Sequence, residues 1–320
     1  MFKAAWSGDV VFTRRCIVVK KTKATLPYTI DGAQELLSII GAYAASLPLA
    51  WRGRMAGRPF RLYFAPDTVW SWYLIWPVAR AAGARIVNTP ERADAAMVFE
   101  DATYSQPPAT LDRFPGPVWN RRCLDVSKSH VARTFEAVFG YPLAVDPRRS
   151  AGPIVEKSET NGAHDGRILT APCAPRPGRV YQKLIETSRD GRFVEDLRCP
   201  TVKGEIAAVF IKRRPIDARF ANHNTDVSLH RPEAIFTATE RDRLATFCKA
   251  LALDWGGLDV LRERATGRLY VVDVNKTDMG PPTALPLLDQ ARAVHRIAQR
   301  FGAHMRAELG YASDDCSDQV

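Results

Sequence analysis

No stretch of this 320-residue chain reaches the roughly 18 uninterrupted apolar residues of a membrane span. The nearest candidate, "LLSIIGAYAASLPLAW", is broken by Ser, Gly and Pro48 and is expected to form a core helix. The first residues, "MFKAAWSGDVVFTRR", have no apolar segment followed by small residues, so no signal peptide and a cytoplasmic location are expected. The six cysteines (Cys16, Cys123, Cys173, Cys199, Cys248, Cys316) contain no C-x-x-C pair and no histidine sits at zinc-ligand spacing, which speaks for reduced, structural thiols. No internal repeat is visible. The net charge is +10, yet the basic residues form no single block with interleaved aromatics, which argues against nucleic acid as partner. A general basic surface or a cleft for anionic ligands such as nucleotide phosphates remains.

What is present is an ordinary globular composition, 46% hydrophobic and 25% charged. From residue 58, "RPFRLYFAP" reads as a strand, "DTVWSWYLIWPVARAAG" as a helix with Asp67 as N-cap, and "ARIVNTPERADAAMVFED" as strand-helix-strand. The Pro-rich "YSQPPATLDRFPGP" then marks a boundary. Beyond it the order becomes helix ("DVSKSHVARTFEAVFG"), strand pair, strand, strand pair turning at Lys203-Gly204, amphipathic helix ("TATERDRLATFCKALAL") and hairpin: an α+β layout. The basic run Lys212, Arg213, Arg214 is either an exposed face or a nucleic-acid contact. His223 and His230 read as surface histidines, and Trp70, Trp72 and Trp76 as core.

The last hairpin, "GGLDVLRERATGRLYVVDVN", turns at Gly267, because Gly supplies the positive φ such turns need. Alternation turns Val272 and Val274 one way and Val271, Asp273 and Asn275 the other. A register centred near Thr266 sets Asp259 opposite Asp273, and opposed like charges destabilise a sheet unless something neutralises them. A solvated face would do so, as would a hard cation such as Mg²⁺ held together with phosphates.

Taken in order, residues 118 to 300 resemble the ATP-grasp superfamily, in its glutamate-ligase and glutathione-synthetase-like branch of carboxylate-amine ligases. The resemblance implies an ATP-grasp fold of two α+β subdomains clasping ATP, preceded by an atypical α/β domain. The implied boundaries are 1–117 (N-terminal domain), 118–310 (ATP-grasp, divided as 118–185 and 186–310) and 311–320 (flexible tail). "SKSHVARTFEAVFGYPL" resembles the helix whose Lys128 reaches the phosphates, and "PIVEKS" the strand whose Lys157 meets the α-phosphate and adenine edge. "SETNGAHDG", with Gly162, is similar to the flap over the phosphates, and "YQKLIE" to the hinge, with Gln182, Lys183 and Ile185 near adenine and Glu186 near the ribose. "DLRCPTVKGEIAAVFIKRR" is similar to the D-I-R strand pair and gives Arg198 a catalytic place. "ARFANHN" adds Arg219, also catalytic, and Asn222 for substrate. Asp259, Asp273 and Asn275 are, by the same resemblance, the Mg²⁺ (or Mn²⁺) ligands. The chain departs from the pattern at Asp273, where Glu is usual, at the hinge acid, which is Lys183, and in "KTDMGPP", where Lys276 and Asp278 reshape the acceptor side.

The implied activity is ATP-dependent formation of an amide or peptide-like bond through an acyl phosphate. The implied partners are ATP and small-molecule or peptide substrates bearing a carboxylate and an amine, with no membrane and with homo-oligomers left open. A small-molecule kinase and a non-catalytic nucleotide- or nucleic-acid-binding module on the same fold stay open beside it.

Overall fold

The structure, a computed structural model, describes residues 10–19, 25–29, 41, 47–55, 57–163, 165–220 and 225–311. Most of "LLSIIGAYAASLPLAW" falls outside these residues, as does Asn222. Among the described residues no helix is long and apolar enough to cross a membrane.

Four sheets organise the chain. Strands β1 (Val10–Phe12), β2 (Cys16–Val19) and β3 (Thr25–Pro27) form a small antiparallel sheet. Strands β4 (Phe60–Pro66), β5 (Ala84–Val87), β6 (Ala95–Phe99) and β7 (Val118–Trp119) form a parallel sheet in the order β5-β4-β6-β7. Every residue of β6 is buried, as a parallel strand covered on both faces requires.

The helix following β4 is shorter than its pattern predicts. It is α1 (Ile75–Ala81), its N-cap is Leu74, and Asp67 instead accepts a bond from the Asp101 amide at 3.2 Å. Residues 72–74 do not wind because they are used elsewhere: the Leu74 N–H donates to the Asp278 carbonyl, Gly280 donates to the Trp72 carbonyl, and Tyr73 bridges Met279. Trp70 and Trp72 stack at 5.4 Å and are only partly buried.

Helix α2 (Lys128–Phe139) begins at Ser127, whose side chain accepts from His130, and ends at Gly140, where φ is 80°. Strands β8 (Gly152–Ser158), β9 (Arg167–Ala171) and β10 (Arg179–Lys183) then form an antiparallel lid in the order β10-β8-β9. The largest sheet follows: β11 (Phe193–Val202), β12 (Glu205–Ile206), β13 (Val209–Pro215), β14 (Asp226–His230), β15 (Trp255–Arg262) and β16 (Leu269–Asn275), in the order β14-β13-β11-β15-β16 with β12 on β11. Helix α3 (Ala238–Ala250) is opened by a Thr237–Glu240 capping box. Together with α2 it covers one face of this sheet through Phe135, Leu244, Phe247, Leu258 and Val274. Helix α4 (Leu287–Glu308) lies against α1, and its Phe301 meets Phe60, Trp119 and Trp255, which ties the parallel sheet to the large one.

The β15–β16 hairpin has Gly267 in its turn at φ 71° and pairs Asp259 with Asp273, as its sequence implies. It departs in one respect. Asp259 pairs with Asp273 but Val260 pairs with Val271, so Val272 is an extra residue in a bulge. Val271 therefore joins Val272 and Val274 in the core rather than sharing the polar face of Asp273.

On the outer face of the lid, Glu156 is 1% exposed and accepts from Arg167 (2.8 Å), Arg176 and the Tyr181 hydroxyl (3.0 Å). The Arg176 hydrogen bond leads in holding its carboxyl down at about 2 against the opposing effect of burial. A carboxylate with a depressed pKa contributes stability above its ordinary value near 4.5, and loses that contribution as the pH falls toward about 2. Glu156→Gln is expected to destabilise the lid at pH 7 by about 1–3 kcal/mol, a value reduced by the solvent around the arginines. Amide hydrogen exchange across β8–β10 measures it, and the gap to wild type should narrow below pH 4.5 and close only as the pH approaches about 2.

Candidate active site

The groove lies between the inner face of the lid and the second face of the large sheet, beside the part where α4 packs on Phe210 and Val227 through Ala293. Alternation along β11 sends Leu197 and Cys199 into the core and leaves Asp196 and Arg198 on the opposite face. Registers add Asp259 beside Arg198, Asp273 beside Asp259 and Lys212 beside Asp196. On the lid, Val155 and Lys157 pair with Gln182 and Val180, so these four side chains share one face while Glu156 and Tyr181 take the other. Lys157 thereby enters the field of Asp273, Lys128, Asp196 and Asp259. Five of the residues expected from sequence, Lys128, Lys157, Arg198, Asp259 and Asp273, thus converge in one place.

The groove is charged and internally matched. Arg198 donates from Nη1 to Asp259 at 2.9 Å and from Nε and Nη2 to Asp278. Burial alone would lower the guanidinium's pKa, but the two carboxylates outweigh it and raise it. Burial likewise works to raise Asp259, yet Arg198 and Lys212 hold it down at about 2. Lys128 stands 3.6 Å from Asp273. The opposed pair Asp259–Asp273 is therefore neutralised partly by the protein's own cations. That differs from the expectation that only a solvated face or a metal would do so.

The basic run resolves by the same alternation. Arg214 turns inward to Asp196 at 2.6 Å, while Arg213 turns outward to Glu195 and Asp190. It is an ion-paired strand rather than a free basic face.

The flap, of which residues 158–163 and 165–166 are described, is held on both sides of Gly162, whose φ is 71°. Asn161 accepts from Lys128 at 3.1 Å and donates to the Val274 carbonyl at 2.9 Å. Glu159 accepts from the Ser129 amide and hydroxyl at the start of α2. Phe220 lies so close to Gly166 that a Cβ there would come 2.7 Å from its ring. Asn161, Glu159 and Asp196 were not singled out from sequence, and Lys212 was read only as part of a basic run. For Asp196 a signal existed, since it shares a face of β11 with Arg198.

Arg219, Lys183 and Lys276 sit apart from the acidic pair. Arg219 donates to the Ile185 carbonyl (3.1 Å) and reaches Glu186 (3.4 Å), which places its guanidinium at the hinge. Lys183 turns to the opposite lid face: its ammonium pairs with Glu263 at 3.0 Å and its amide donates to Leu143. Lys276 is buried and bonds Ser105. Asn275 lies opposite Gly257, with its side-chain oxygen accepting from the Thr277 amide at 2.9 Å.

The residues present suit a nucleotide and its cation. Gln182 is 2% exposed and its Nε2 has no hydrogen-bond partner among the described residues, a buried donor on the Lys157 face. Among the described residues no three His, Cys, Asp or Glu side chains form a metal cage. A divalent ion at Asp259 and Asp273 would thus be held jointly with phosphate oxygens, the usual manner of Mg²⁺.

The chain is similar to the ATP-grasp ligase PsnB complexed with a minimal precursor, at 15% identity over 77% of this chain and 98% of that one, with a TM-score of 0.53. It is also similar to the D-alanine–D-alanine ligase of Bacillus anthracis (14% identity, 78% and 99% covered, TM-score 0.48). A third is the RiPP-associated ATP-grasp ligase of Chryseobacterium gregarium with ADP and a leader and core peptide (11%, 79% and 97%, TM-score 0.47). No family model and no curated protein matches the sequence. The likeness to PsnB shows the fold: the chain has the ATP-grasp fold, a mixed α/β architecture.

Lys157 yields a test. Burial leads in lowering its pKa, and Asp273 restores only part of the loss. A lysine with a lowered folded pKa costs stability below that value, and the cost vanishes above its ordinary 10.5. Lys157→Met keeps the stem and removes the ammonium, so the nucleotide-free protein should melt about 1–3 °C higher at pH 7. The gain should fade as the pH approaches 10.5. Affinity for a non-hydrolysable ATP analogue, by isothermal titration, should fall at least about tenfold.

Proposed function

We propose that the protein is an ATP-dependent carboxylate-amine ligase. The observation that carries this reading is the convergence of Lys128, Lys157, Arg198, Asp259 and Asp273 in one groove of an ATP-grasp fold. In this reading the nucleotide lies between the lid and the large sheet. Gln182 and the hinge from Ile185 to Glu186 meet the base and ribose, with Arg219 steadying the hinge. Lys128 and Lys157 bind the phosphates, and Gly162 lets flap amides approach them without an intervening Cβ. Asp259 and Asp273, with Asn275 completing the set, would hold Mg²⁺ or Mn²⁺, which when bound neutralises phosphate charge.

The chemistry has two displacements. A substrate carboxylate oxygen attacks the γ-phosphorus, and the bond to ADP breaks. An amine nitrogen then attacks the acyl carbon, the C–O bond to phosphate breaks and the nitrogen loses a proton, leaving an amide. Phosphoryl transfer asks the protein mainly for positioning and charge, which Lys128, Lys157 and Arg198 supply. The anchored flap excludes water that would hydrolyse the acyl phosphate. Lys276 is assigned to the substrate side, as is Asn222, which lies outside the described residues. PsnB, solved with its precursor, is the reason to include peptides beside amino acids and dicarboxylates as substrates.

ADP release that requires both a carboxylate and an amine tests the proposal. Release with a hydroxyl compound and no amine would instead mean a kinase, and salt-sensitive DNA binding without turnover a binding module. Asp273→Asn should lower Mg²⁺-dependent ADP release at least about 100-fold. It should change the stability of the nucleotide-free protein by less than about 1 kcal/mol, because its pairing with Lys128 is loose and partly solvated. Full activity in this variant would remove the metal role from the hairpin.

A further inference from the structure

Arg198 is held from two sides, and only one of its partners belongs to the metal-binding hairpin. Asp259 faces it across the β11–β15 pair. Asp278, in the loop after β16, is 1% exposed, and its Oδ1 accepts from both Nε (3.0 Å) and Nη2 of Arg198. Its Oδ2 has no hydrogen-bond partner among the described residues. That oxygen packs against Gly257, where a Cβ would lie 2.3 Å from it and 3.0 Å from Arg198 Nε. A buried carboxylate with one bare oxygen costs stability, so a more economical core would replace it.

The position of Asp278 is set from the N-terminal region. Its carbonyl accepts from Leu74 at 2.9 Å, its neighbour Thr277 bonds Asp101 at 3.0 Å, and Met279 and Gly280 engage Tyr73 and Trp72. The aromatic segment before α1 therefore fixes this carboxylate, and the carboxylate grips the Nε edge of Arg198. Asp259 cannot provide the same constancy, because the proposed chemistry also uses it for a cation.

We infer that Asp278 is the positioning residue for Arg198, and that position 257 is glycine because the Asp278 carboxylate fills the space of its side chain. The inference rests on the ligase reading for its catalytic consequence but not for its geometry. A guanidinium released from one edge swings away from the transferring phosphoryl group, and displacements near 1 Å cost on the order of 100-fold in rate.

Two variants test it. Asp278→Asn weakens the grip by removing charge, whereas Gly257→Ala keeps every charge and pushes the carboxylate aside; Gly257 has no positive φ that would strain an alanine. In the nucleotide-free protein, the Arg198 Nε–H resonance, assigned by its loss in Arg198→Lys, should shift and exchange with solvent at least about tenfold faster in both variants. In ADP release, both should lose about 100-fold in kcat with the ATP KM within about threefold, and the double variant should be no worse than Asp278→Asn. An unmoved Nε–H signal in the variants overturns the inference. So does a raised KM at normal kcat, or multiplicative losses in the double variant. If Asp278→Asn does not fold, Gly257→Ala alone decides by the same readouts. Should wild type release no ADP with any carboxylate and amine, the ligase reading falls while the resonance still decides the positioning.

Discussion

Two carboxylates opposed across a hairpin are the constraint on which the rest of the groove depends. Asp259 and Asp273 lie directly opposite, and opposed like charges destabilise a sheet unless cations stand close by. Arg198 meets Asp259 from the next strand, Lys128 meets Asp273 from the start of α2, and Lys157 comes down from the lid. Because these partners lie on three separate elements, the acidic pair draws α2, the lid and the large sheet into one electrostatic unit. The same opposed charges that would weaken an isolated hairpin therefore help assemble a cleft.

The core supports this from the other side. One face of the large sheet is covered by α2 and α3; on the other, α4 covers Phe210 and Val227 and the charged residues take the rest. The bulge at Val272 turns Val271 into that core and keeps Asp273 in the groove. Glu156 and its arginines brace the lid on the face away from the groove, so lid stability and the charge facing the groove are carried by alternate residues of one strand. Function and support are separated by the period of two that every strand has.

The N-terminal region is joined to the groove through the loop after β16. The aromatic segment 70–74 gives up helical winding in order to pair with residues 278–280. Lys276 and Thr277 reach Ser105 and Asp101 near the ends of the parallel strands. In open α/β sheets the region beyond the strand ends is where ligands bind. Here that region is continuous with the loop that holds Arg198.

How much of this was legible in sequence follows from the range of each signal. Period-two alternation, Gly267 in a turn and the helical patterns of α2 and α3 are local, so the strands, these helices and the facing of Asp259 and Asp273 could be read directly. The ordered motifs likewise pointed to Lys128, Lys157 and Arg198. The length of α1 could not be read, because its first turns are lost to pairing with residues some 200 positions away. Nor could the place of Arg219 at the hinge, the turning of Lys183 toward Glu263, or the grip of Asp278 on Arg198. Local sequence determines which face of an element a side chain occupies. Which charges meet across the groove is decided by how the sheets pack, since Coulomb energy depends on distance in space rather than along the chain.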